Sequence, residues 1–280
     1  MDLADGDVSI NAHLGTHTLI TSVLSSPGKP SHHNSYSLSK NVVLLMVKDG
    51  TARLLDLEGG FYATTVTGAR ILETALQQDA ELACQTLAAE FRIDARKIKA
   101  DMDSFLLTLQ RKRLLVTPHS KQPQRRSAKK ICSWLMVPIL YIANRAFRKS
   151  PKKRAGTLLT LAYVSTRLFG WTNTIGIWKR FSITDSQVQN VKPLDDACRW
   201  SDLEATVMRA IASHPFNINC KERALCSWAL ARSAGFSSRI VLGVDLFPAA
   251  IHCWCESGSR IMADRYEGKC DRYTPVLIYE

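Results

Sequence analysis

At 280 residues the chain is long enough for two domains, and its 46% content of apolar residues is ordinary for globular proteins. The eight cysteines are scattered along the chain, which excludes the dense disulfide framework of a small secreted domain. The acidic start, M-D-L-A-D-G-D, lacks the basic and apolar regions of a signal peptide. We therefore expect a cytoplasmic protein with free thiols.

The net charge of +12 is concentrated in one segment. Between Arg111 and Arg154 the chain has 14 Lys or Arg and no acidic residue, so the remainder carries a net charge of −2. A basic segment of this kind attracts phosphates, anionic lipid headgroups or acidic peptides without choosing among them. A solvated linker with basic helix ends is the alternative explanation.

Residues 1–39 are irregular in composition and are predicted to be a poorly ordered lead-in, with one strand allowed in the apolar run 17–24. The next runs, V-V-L-L-M-V-K and A-R-L-L-D-L, flank Asp49-Gly50 and predict a β-hairpin. An Asp-Gly pair supplies the positive φ angles that tight hairpin turns require. A second turn at 58–60 and a third strand at 61–63 follow.

Three helices are predicted next, from apolar residues at helical spacing. Thr67 is predicted to cap the first helix, and the third helix starts after Asp94. We interpret the apolar stripes as core. Three strands and three helices predict a small α+β domain of winged-helix type over residues 40–116.

Residues 40–116 resemble the PqqD-like peptide-recognition domains of peptide natural-product pathways. The matching runs are A-R-L-L-D-L-E-G-G-F-Y-A-T-T-V-T-G-A-R-I-L-E-T-A-L and A-A-E-F-R-I-D-A-R-K-I-K-A-D-M-D-S-F-L-L-T-L-Q-R-K-R-L-L. The resemblance implies that a leader peptide adds as a strand to the sheet edge and packs against the third helix. By position, the implied leader-binding residues are Phe61, Tyr62, Ala63, Thr64, Lys97, Asp101 and Ser104.

Residues 117–130 are polar and contain proline, so we predict the domain boundary there, as a basic linker. The largely apolar run 131–143, with a central Pro138, is too short for a bilayer-spanning helix, which needs about 20 residues. With the apolar run 157–168 it predicts a helical hairpin that packs on the C-terminal domain or lies on a membrane surface. We favour packing, because both runs are apolar on more than one face. A further helix is predicted over 194–213.

The last part of the chain contains the components of a cysteine-nucleophile site, in the order Cys220, His252 and Asp264. Cys220 stands at the start of a helix-like run, where free N–H groups and a partial positive charge stabilise a thiolate. An imidazole can share the thiol proton, and a carboxylate can hold the imidazole in one tautomer and orientation. These residue types therefore point to acyl transfer to water.

His252 and Asp264 lie on two strand-like runs separated by the turn 257–259. Folding about the centre of this turn places the two residues directly opposite each other, which predicts contact between their side chains. Taken alone, Cys220 could be a buried thiol and His252 a core histidine. The shared hairpin register favours a functional site.

Residues 219–276 resemble the lasso-peptide B proteins, which are leader peptidases with a transglutaminase-like, papain-related core. The matching runs are N-C-K-E-R-A-L-C-S-W-A-L-A-R-S-A-G-F-S-S-R-I-V-L-G-V, A-I-H-C-W-C-E, I-M-A-D and R-Y-T-P-V. The gaps of 32 and 12 residues between Cys220, His252 and Asp264 also fit that family. The combination of a peptide-recognition domain and a peptidase on one chain supports this resemblance independently of the residue spacing.

Two departures from that family lie close to these residues. The chain has Cys253 and Cys255 where the family usually has small or aliphatic residues, and Ala263 where it usually has Asn. The two cysteines point away from the face of His252 on a strand, so we expect them in the core. Trp254 shares that face and is expected to form the floor of the site.

A zinc site is the alternative for the cysteine-rich end of the chain, with Cys220, His252, Cys253, Cys255 and Cys270 as ligands. A C-x-C pair on a strand matches the usual C-x₂₋₄-C spacing poorly, so we predict no metal. No P-loop motif occurs, and no cofactor is evident from the sequence. The resemblance implies that some family members require ATP, without showing where it would bind.

Together these features predict an α+β protein in which a winged-helix-like leader-recognition domain precedes a helical segment and a papain/transglutaminase-like cysteine peptidase domain, over residues 131–280. Cys220 would attack the scissile carbonyl, His252 would transfer the proton and Asp264 would orient His252. The resemblance implies a lasso-peptide precursor as substrate and an asparagine-synthetase-like cyclase as partner. Segment 111–154 allows peripheral membrane contact.

Two other classes of protein remain as alternatives. A peptide-binding scaffold of a maturation complex would have the same domains with an inert triad. A winged-helix DNA-binding protein would use the basic segment. Against DNA binding, the third predicted helix and the residue before it carry Asp94, Asp101 and Asp103, and most of the basic charge lies beyond that helix. We expect no nucleic-acid partner.

Overall fold

The computed structural model describes residues 20–25, 36–117, 126–185, 196–264 and 270–280. The chain divides into two compact units, the first with the described residues up to 117 and the second with those from 126 onward. Each unit combines helices with an antiparallel sheet, so the predicted α+β class is confirmed.

The first unit is built on a four-stranded antiparallel sheet of order β1-β3-β4-β5, beside a small sheet in which β2 pairs with β6. The strands are β1 (Ile20–Ser25), β2 (Ser37–Leu38), β3 (Val42–Val47), β4 (Ala52–Asp56), β5 (Gly60–Thr64) and β6 (Leu115–Val116). The predicted hairpin is confirmed, and Gly50 in its turn has φ 81, which glycine adopts without strain. Strand β1 extends the sheet into the segment predicted as an irregular lead-in, because its Ile20 and Val23 are buried there. Residues 1–19 lie outside the described residues.

Three helices cover this sheet, namely α1 (Val66–Gln77), α2 (Ala80–Phe91) and α3 (Ala95–Arg111). Asp94 caps α3 as predicted, since its Oδ1 accepts from the Arg96 N–H at 2.8 Å. The prediction of Thr67 as the cap of α1 was wrong. Thr65 is the last extended residue, and its hydroxyl accepts from the Gly68 N–H at 3.2 Å, which satisfies one of the free donors of the first turn. The core is formed by buried side chains of the sheet and the helices, among them Leu44, Leu54, Leu72, Leu87, Met102 and Leu106.

The second unit contains the helices α4 (Arg126–Ala146), α5 (Pro151–Phe169), α6 (Trp171–Asp185), α7 (Asp196–Ala212) and α8 (Cys220–Ser233). Helices α4 and α5 pack together as the predicted hairpin. Helix α4 begins at Arg126, inside the segment predicted as linker, and contains Pro138. Helix α6 was not predicted, because W-T-N-T-I-G-I-W mixes polar and apolar residues without a clear stripe. Within the described ranges no helix combines the length and hydropathy needed to cross a bilayer.

The sheet of the second unit is antiparallel and has the order β10-β7-β8-β9. Its strands are β7 (Arg239–Leu246), β8 (Ala249–Ser257), β9 (Arg260–Met262) and β10 (Thr274–Tyr279), with a one-turn 3₁₀ helix at Cys270–Arg272. Helix α8 packs on β8 and is anchored by Trp228, which is buried and donates from Nε1 to the Ser238 carbonyl at 3.0 Å. This packing places the start of α8 against the strand that carries His252.

Candidate active site

Cys220 is the first residue of α8, and a buried carboxylate fixes the start of that helix. The Asn219 N–H donates to Glu222 Oε2 at 2.9 Å, and the Thr166 hydroxyl donates to Glu222 Oε1 at 3.0 Å. Glu222 is a residue that sequence reasoning missed. The pattern Asn-x-x-Glu before a helix-forming run is a capping-box signature and was the signal available.

His252 lies on β8 opposite Gly243 and contacts Asp264 directly. The distance from His252 Nε2 to Asp264 Oδ2 is 2.5 Å, and the two side chains are 7% and 3% exposed. A buried imidazole held by a carboxylate has one orientation and one tautomer. With Nε2 facing Asp264, Nδ1 is the ring nitrogen that remains for the Cys220 thiol.

The contact between His252 and Asp264 does not arise from the predicted register, which was wrong by one residue. Strand β8 pairs Cys255 with Met262 and Ser257 with Arg260, so continuing the pairing would put Asp264 opposite Cys253. Pairing instead stops at Met262, and Ala263 turns into the left-handed region at φ 55.

The turn at Ala263 is held from a neighbouring helix. The Ala263 N–H donates to Glu204 Oε1 of α7 at 2.9 Å. Asn adopts the left-handed region more readily than Ala, which gives a physical reason for the Asn usually found at this position in the resembled family. The turn redirects the Asp264 carboxylate towards His252.

The Cys220 thiol and the His252 imidazole are hydrogen-bonded to each other. Burial raises the pKa of Cys220, but the hydrogen bond and charge of His252, the Cys253 N–H and the Lys221 charge outweigh it, so the net pKa is lowered. Burial lowers the pKa of His252, but its bonds to Asp264 and Cys220 raise it overall to about 9. These opposite shifts favour the thiolate–imidazolium pair more than the ordinary pKa values of the two groups would.

Two aromatic rings enclose His252. The Trp254 ring is stacked on it at 5.8 Å between centroids, and the Tyr273 ring lies at 5.1 Å. Opposite His252, a Cβ on Gly243 would lie 2.8 Å from the Trp254 ring and 2.9 Å from Tyr273 Cβ. Only glycine permits this close approach. Gly243 therefore belongs to the site, and so does Tyr273 through its contact with His252. Sequence reasoning had assigned no role to either residue.

Cys270 adds a second hydrogen bond to the carboxylate of Asp264. Its Sγ lies 3.2 Å from Asp264 Oδ2, the oxygen that also contacts His252 Nε2. Burial and the charge of Asp264 raise the pKa of Cys270 to about 12, so its thiol stays protonated and donates.

Two residues of the zinc alternative, His252 and Cys270, form a cluster with Asp264. The ligand atoms of these three side chains lie within 4.8 Å of one another. Ligand atoms of a tetrahedral zinc site are about 3.3 Å apart or more, given zinc–ligand distances of about 2.0–2.3 Å. The 2.5 Å contact between His252 and Asp264 therefore has the geometry of a hydrogen bond.

Three other cysteines near the site have the environment of structural thiols. Cys226, Cys253 and Cys255 are buried. Burial raises the pKa of Cys226 to about 12 and also raises the pKa of Cys253 and Cys255. Because the thiolate is the nucleophile, these residues are poor candidates for attack, and Cys220 differs from them in the direction of its shift.

A small cavity next to Asp264 has room for about one water molecule. It is lined by Arg223, Ala224, Cys253, Trp254, Met262, Ala263 and Asp264. Sites for small-molecule ligands measure about 300–1,000 Å³, so this cavity is far smaller than such a site.

The residues implied in leader binding lie on two elements of the first unit. Phe61–Thr64 are in β5, which pairs with β4 along one side and is an edge of the sheet among the described residues. Lys97, Asp101 and Ser104 are exposed on α3, four and three residues apart, and so share one side of the helix.

One residue after α3 links that helix end to β5. The Lys112 Nζ lies 4.8 Å from the centroid of the Tyr62 ring, within cation–π range. Sequence reasoning missed Lys112. Its spacing could have indicated it, because Lys112 follows Asp101 by 11 residues, or about three helical turns, and so lies on the same side of the helix as Asp101.

The fold and the arrangement around Cys220 define an α+β chain with a peptide-recognition type of domain and a cysteine-protease type of domain. Two family models match it: Coenzyme PQQ synthesis protein D (PqqD) at residues 43–115, and the Transglutaminase-like superfamily at residues 161–278. The chain is thus a PqqD domain followed by a transglutaminase-like domain, and the predicted fusion is confirmed. No curated protein and no solved structure matches the chain.

Proposed function

We propose that this protein is a cysteine peptidase that binds the leader of a ribosomally made lasso-peptide precursor and removes it. The observation that carries the proposal is the hydrogen-bonded series Cys220, His252 and Asp264 within a transglutaminase-like domain. The PqqD domain on the same chain supports a peptide precursor as the substrate.

In the first half of the reaction, the Cys220 thiolate attacks the carbonyl carbon of the peptide bond between leader and core, and the carbonyl oxygen becomes an oxyanion. The Cys220 N–H is in the first helical turn, where N–H groups have no intrahelical acceptor, and can donate to this oxygen. The His252 imidazolium gives its proton to the leaving nitrogen as the carbon–nitrogen bond breaks. The core leaves with a free amino group, and the leader remains as a thioester on Cys220.

In the second half, the now neutral His252 takes a proton from a water molecule that attacks the thioester. The carbon–sulfur bond breaks, the leader leaves with a carboxylate and the thiolate is restored. Asp264 keeps Nδ1 of His252 directed at the sulfur in both halves. The freed core would pass to an asparagine-synthetase-like cyclase.

Leader capture is assigned to β5, which is an edge strand of the four-stranded sheet among the described residues. Strand β5 pairs with β4 through Tyr62 opposite Leu54 and Ala63 opposite Arg53, so an added peptide strand would pair along its other side. Exposed residues of α3 at 97, 101 and 104 and the ring of Tyr62 would contact its side chains. Backbone pairing holds the leader, while side-chain contacts set its register.

Incubation of the purified chain with a candidate lasso-peptide precursor, taken from a short reading frame next to its gene, tests the peptidase assignment. We expect mass spectrometry to show one cleavage, which releases an intact leader and an intact core. A core peptide preceded by only a few leader residues should be cleaved far more slowly, because binding by β5 raises the local concentration of the scissile bond. Leader binding without cleavage, with and without added ATP, would instead support the non-catalytic scaffold.

Hydrogen exchange on the same sheet tests leader capture. With a saturating synthetic leader peptide, we expect slower amide exchange in β5, Gly60–Thr64, because new backbone hydrogen bonds protect its N–H groups. The opposite edge strand β1, Ile20–Ser25, is the internal control and should exchange at an unchanged rate. Protection of β1 alone, or of neither edge, would contradict this binding mode.

A further inference from the structure

Helix α4 has two faces of different character. Met136, Leu140 and Asn144 are buried, and α4 packs against α5 and α6. A second face carries Leu135, Ile139 and Ile142, which are 58%, 45% and 65% exposed. These three residues are spaced by four and three positions and therefore form one continuous stripe along the helix. The helical hairpin was expected to pack on the C-terminal domain, and among the described side chains of α4, from Leu135 onward, this second face is exposed.

An exposed stripe of large aliphatic side chains has a physical cost. Scattered surface leucines need no explanation, but a contiguous apolar patch on a helix that is already packed on its other side marks a contact surface. Phe147, one residue past the end of α4, is also 37% exposed. We call Leu135, Ile139 and Ile142 the α4 stripe.

Basic residues border the α4 stripe at its C-terminal end. The exposed cations are Arg145, Arg148, Lys149, Lys152 and Lys153. They lie in the part of the sequence, Arg111 to Arg154, that contains no Asp or Glu. The field beside the stripe is therefore positive, without acidic neighbours in sequence to compensate it.

We propose that the α4 stripe and its basic border bind the surface of an anionic phospholipid bilayer, with α4 lying in the interface. Aliphatic side chains on one face and Lys or Arg beside them are what an interfacial helix presents to acyl chains and headgroups. Lysine is depleted in protein–protein interfaces, and nucleic acid offers nothing to an aliphatic stripe. No described helix can cross a bilayer, so the contact is peripheral.

This inference is independent of the peptidase proposal and would place the second unit at a membrane surface. It also combines the two uses of the hairpin that the sequence left open, packing on the protein and contact with a membrane surface. One face of α4 packs on the protein and the other meets lipid.

Sedimentation of the full chain with lipid vesicles tests the proposal. With vesicles of phosphatidylcholine containing about one third phosphatidylglycerol we expect binding roughly tenfold or more tighter than to phosphatidylcholine alone. Raising NaCl from about 0.1 M to about 0.5 M should weaken that binding severalfold, since surface charges are screened. Equal binding to both vesicles, or binding to neither, would overturn the proposal.

Paired variants separate the stripe from general surface hydrophobicity. The triple variant Leu135→Ser, Ile139→Ser, Ile142→Ser should lose roughly tenfold or more of the vesicle affinity, with little change in Tm because the side chains are exposed. The matched control changes three exposed apolar residues of the first unit, Leu82→Ser, Ile93→Ser and Leu107→Ser, and should bind vesicles like the unaltered chain.

The same variants distinguish other occupants of the stripe. If the chain self-associates without lipid, and the stripe variant alone abolishes self-association, the stripe covers a second copy and the lipid proposal fails. Cleavage of the precursor without vesicles should be the same in the stripe variant as in the unaltered chain. Loss of vesicle binding with retained cleavage therefore tests the lipid contact separately from the peptidase function.

Discussion

Replacing Cys220 with alanine is expected to lower the rate of precursor cleavage by about 10⁴-fold or more, while binding of a synthetic leader peptide stays unchanged. The variant lacks the sulfur that forms the thioester, and no described neighbour can take its place. Burial raises the pKa of the nearby Cys253 well above its ordinary value, which keeps that thiol protonated and unreactive. Cleavage is measured by mass spectrometry, and leader binding by fluorescence anisotropy.

The matched control for this variant is Cys198→Ala, because Cys198 is also a free thiol but is exposed on α7. It should cleave the precursor at the unaltered rate. Prolonged incubation of the unaltered protein with EDTA should likewise leave the rate unchanged, as expected for a thiolate nucleophile. Normal cleavage by Cys220→Ala would disprove the peptidase mechanism, and a loss of rate in EDTA would favour the zinc alternative.

Replacing His252 with alanine is expected to slow alkylation of Cys220 by iodoacetamide severalfold or more at pH 7, because a higher thiol pKa lowers the thiolate fraction. In the unaltered protein, the hydrogen bond and charge of His252 oppose the effect of burial on the thiol, and the net pKa of Cys220 is lowered. Without His252, burial dominates and the thiol is almost wholly protonated at this pH. Peptide mapping by mass spectrometry gives the alkylation rate of each cysteine separately.

The pH dependence of this alkylation follows from the two pKa shifts. In the unaltered protein the lowered pKa of Cys220 should move the rise of its alkylation rate to lower pH than in His252→Ala. In His252→Ala the alkylation rate should keep rising, by about tenfold per pH unit, up to a higher pH than in the unaltered protein. The shift of His252 also has a consequence for the free energy of unfolding. Because the pKa of His252 is raised from 6.5 to about 9, its ionised form contributes stability that is fully present below pH 6.5 and is lost as the pH rises through 9.

Exposed Cys198 serves as the internal reference in both proteins, since its reactivity does not depend on His252. Its alkylation rate should be the same in the variant and in the unaltered chain at every pH. A rate for Cys220 that does not change on removal of His252 would contradict a thiol activated by that imidazole.

Local sequence patterns were sufficient to predict the helix and strand that carry Cys220 and His252. The helix start at Cys220 and the strand that carries His252 could be predicted, because a helix-forming run and alternation along a strand depend on neighbours in sequence. The Asp49-Gly50 hairpin was predictable for the same reason. Helix α6 was not, because its buried tryptophans face several neighbours and leave no single apolar stripe.

The sequence by itself determined which residue types are available for a cysteine-nucleophile site and on which elements they lie. The tertiary structure decided how they meet: Asp264 reaches His252 because Glu204 of α7 holds Ala263 in a left-handed turn, whereas simple strand register would have paired it one residue away. A slip of one residue turns every side chain of a strand to the opposite face, so contacts made far along the chain must fix it. The same holds for α4, where packing against α5 and α6, and not the composition of the helix, determines which apolar face stays exposed.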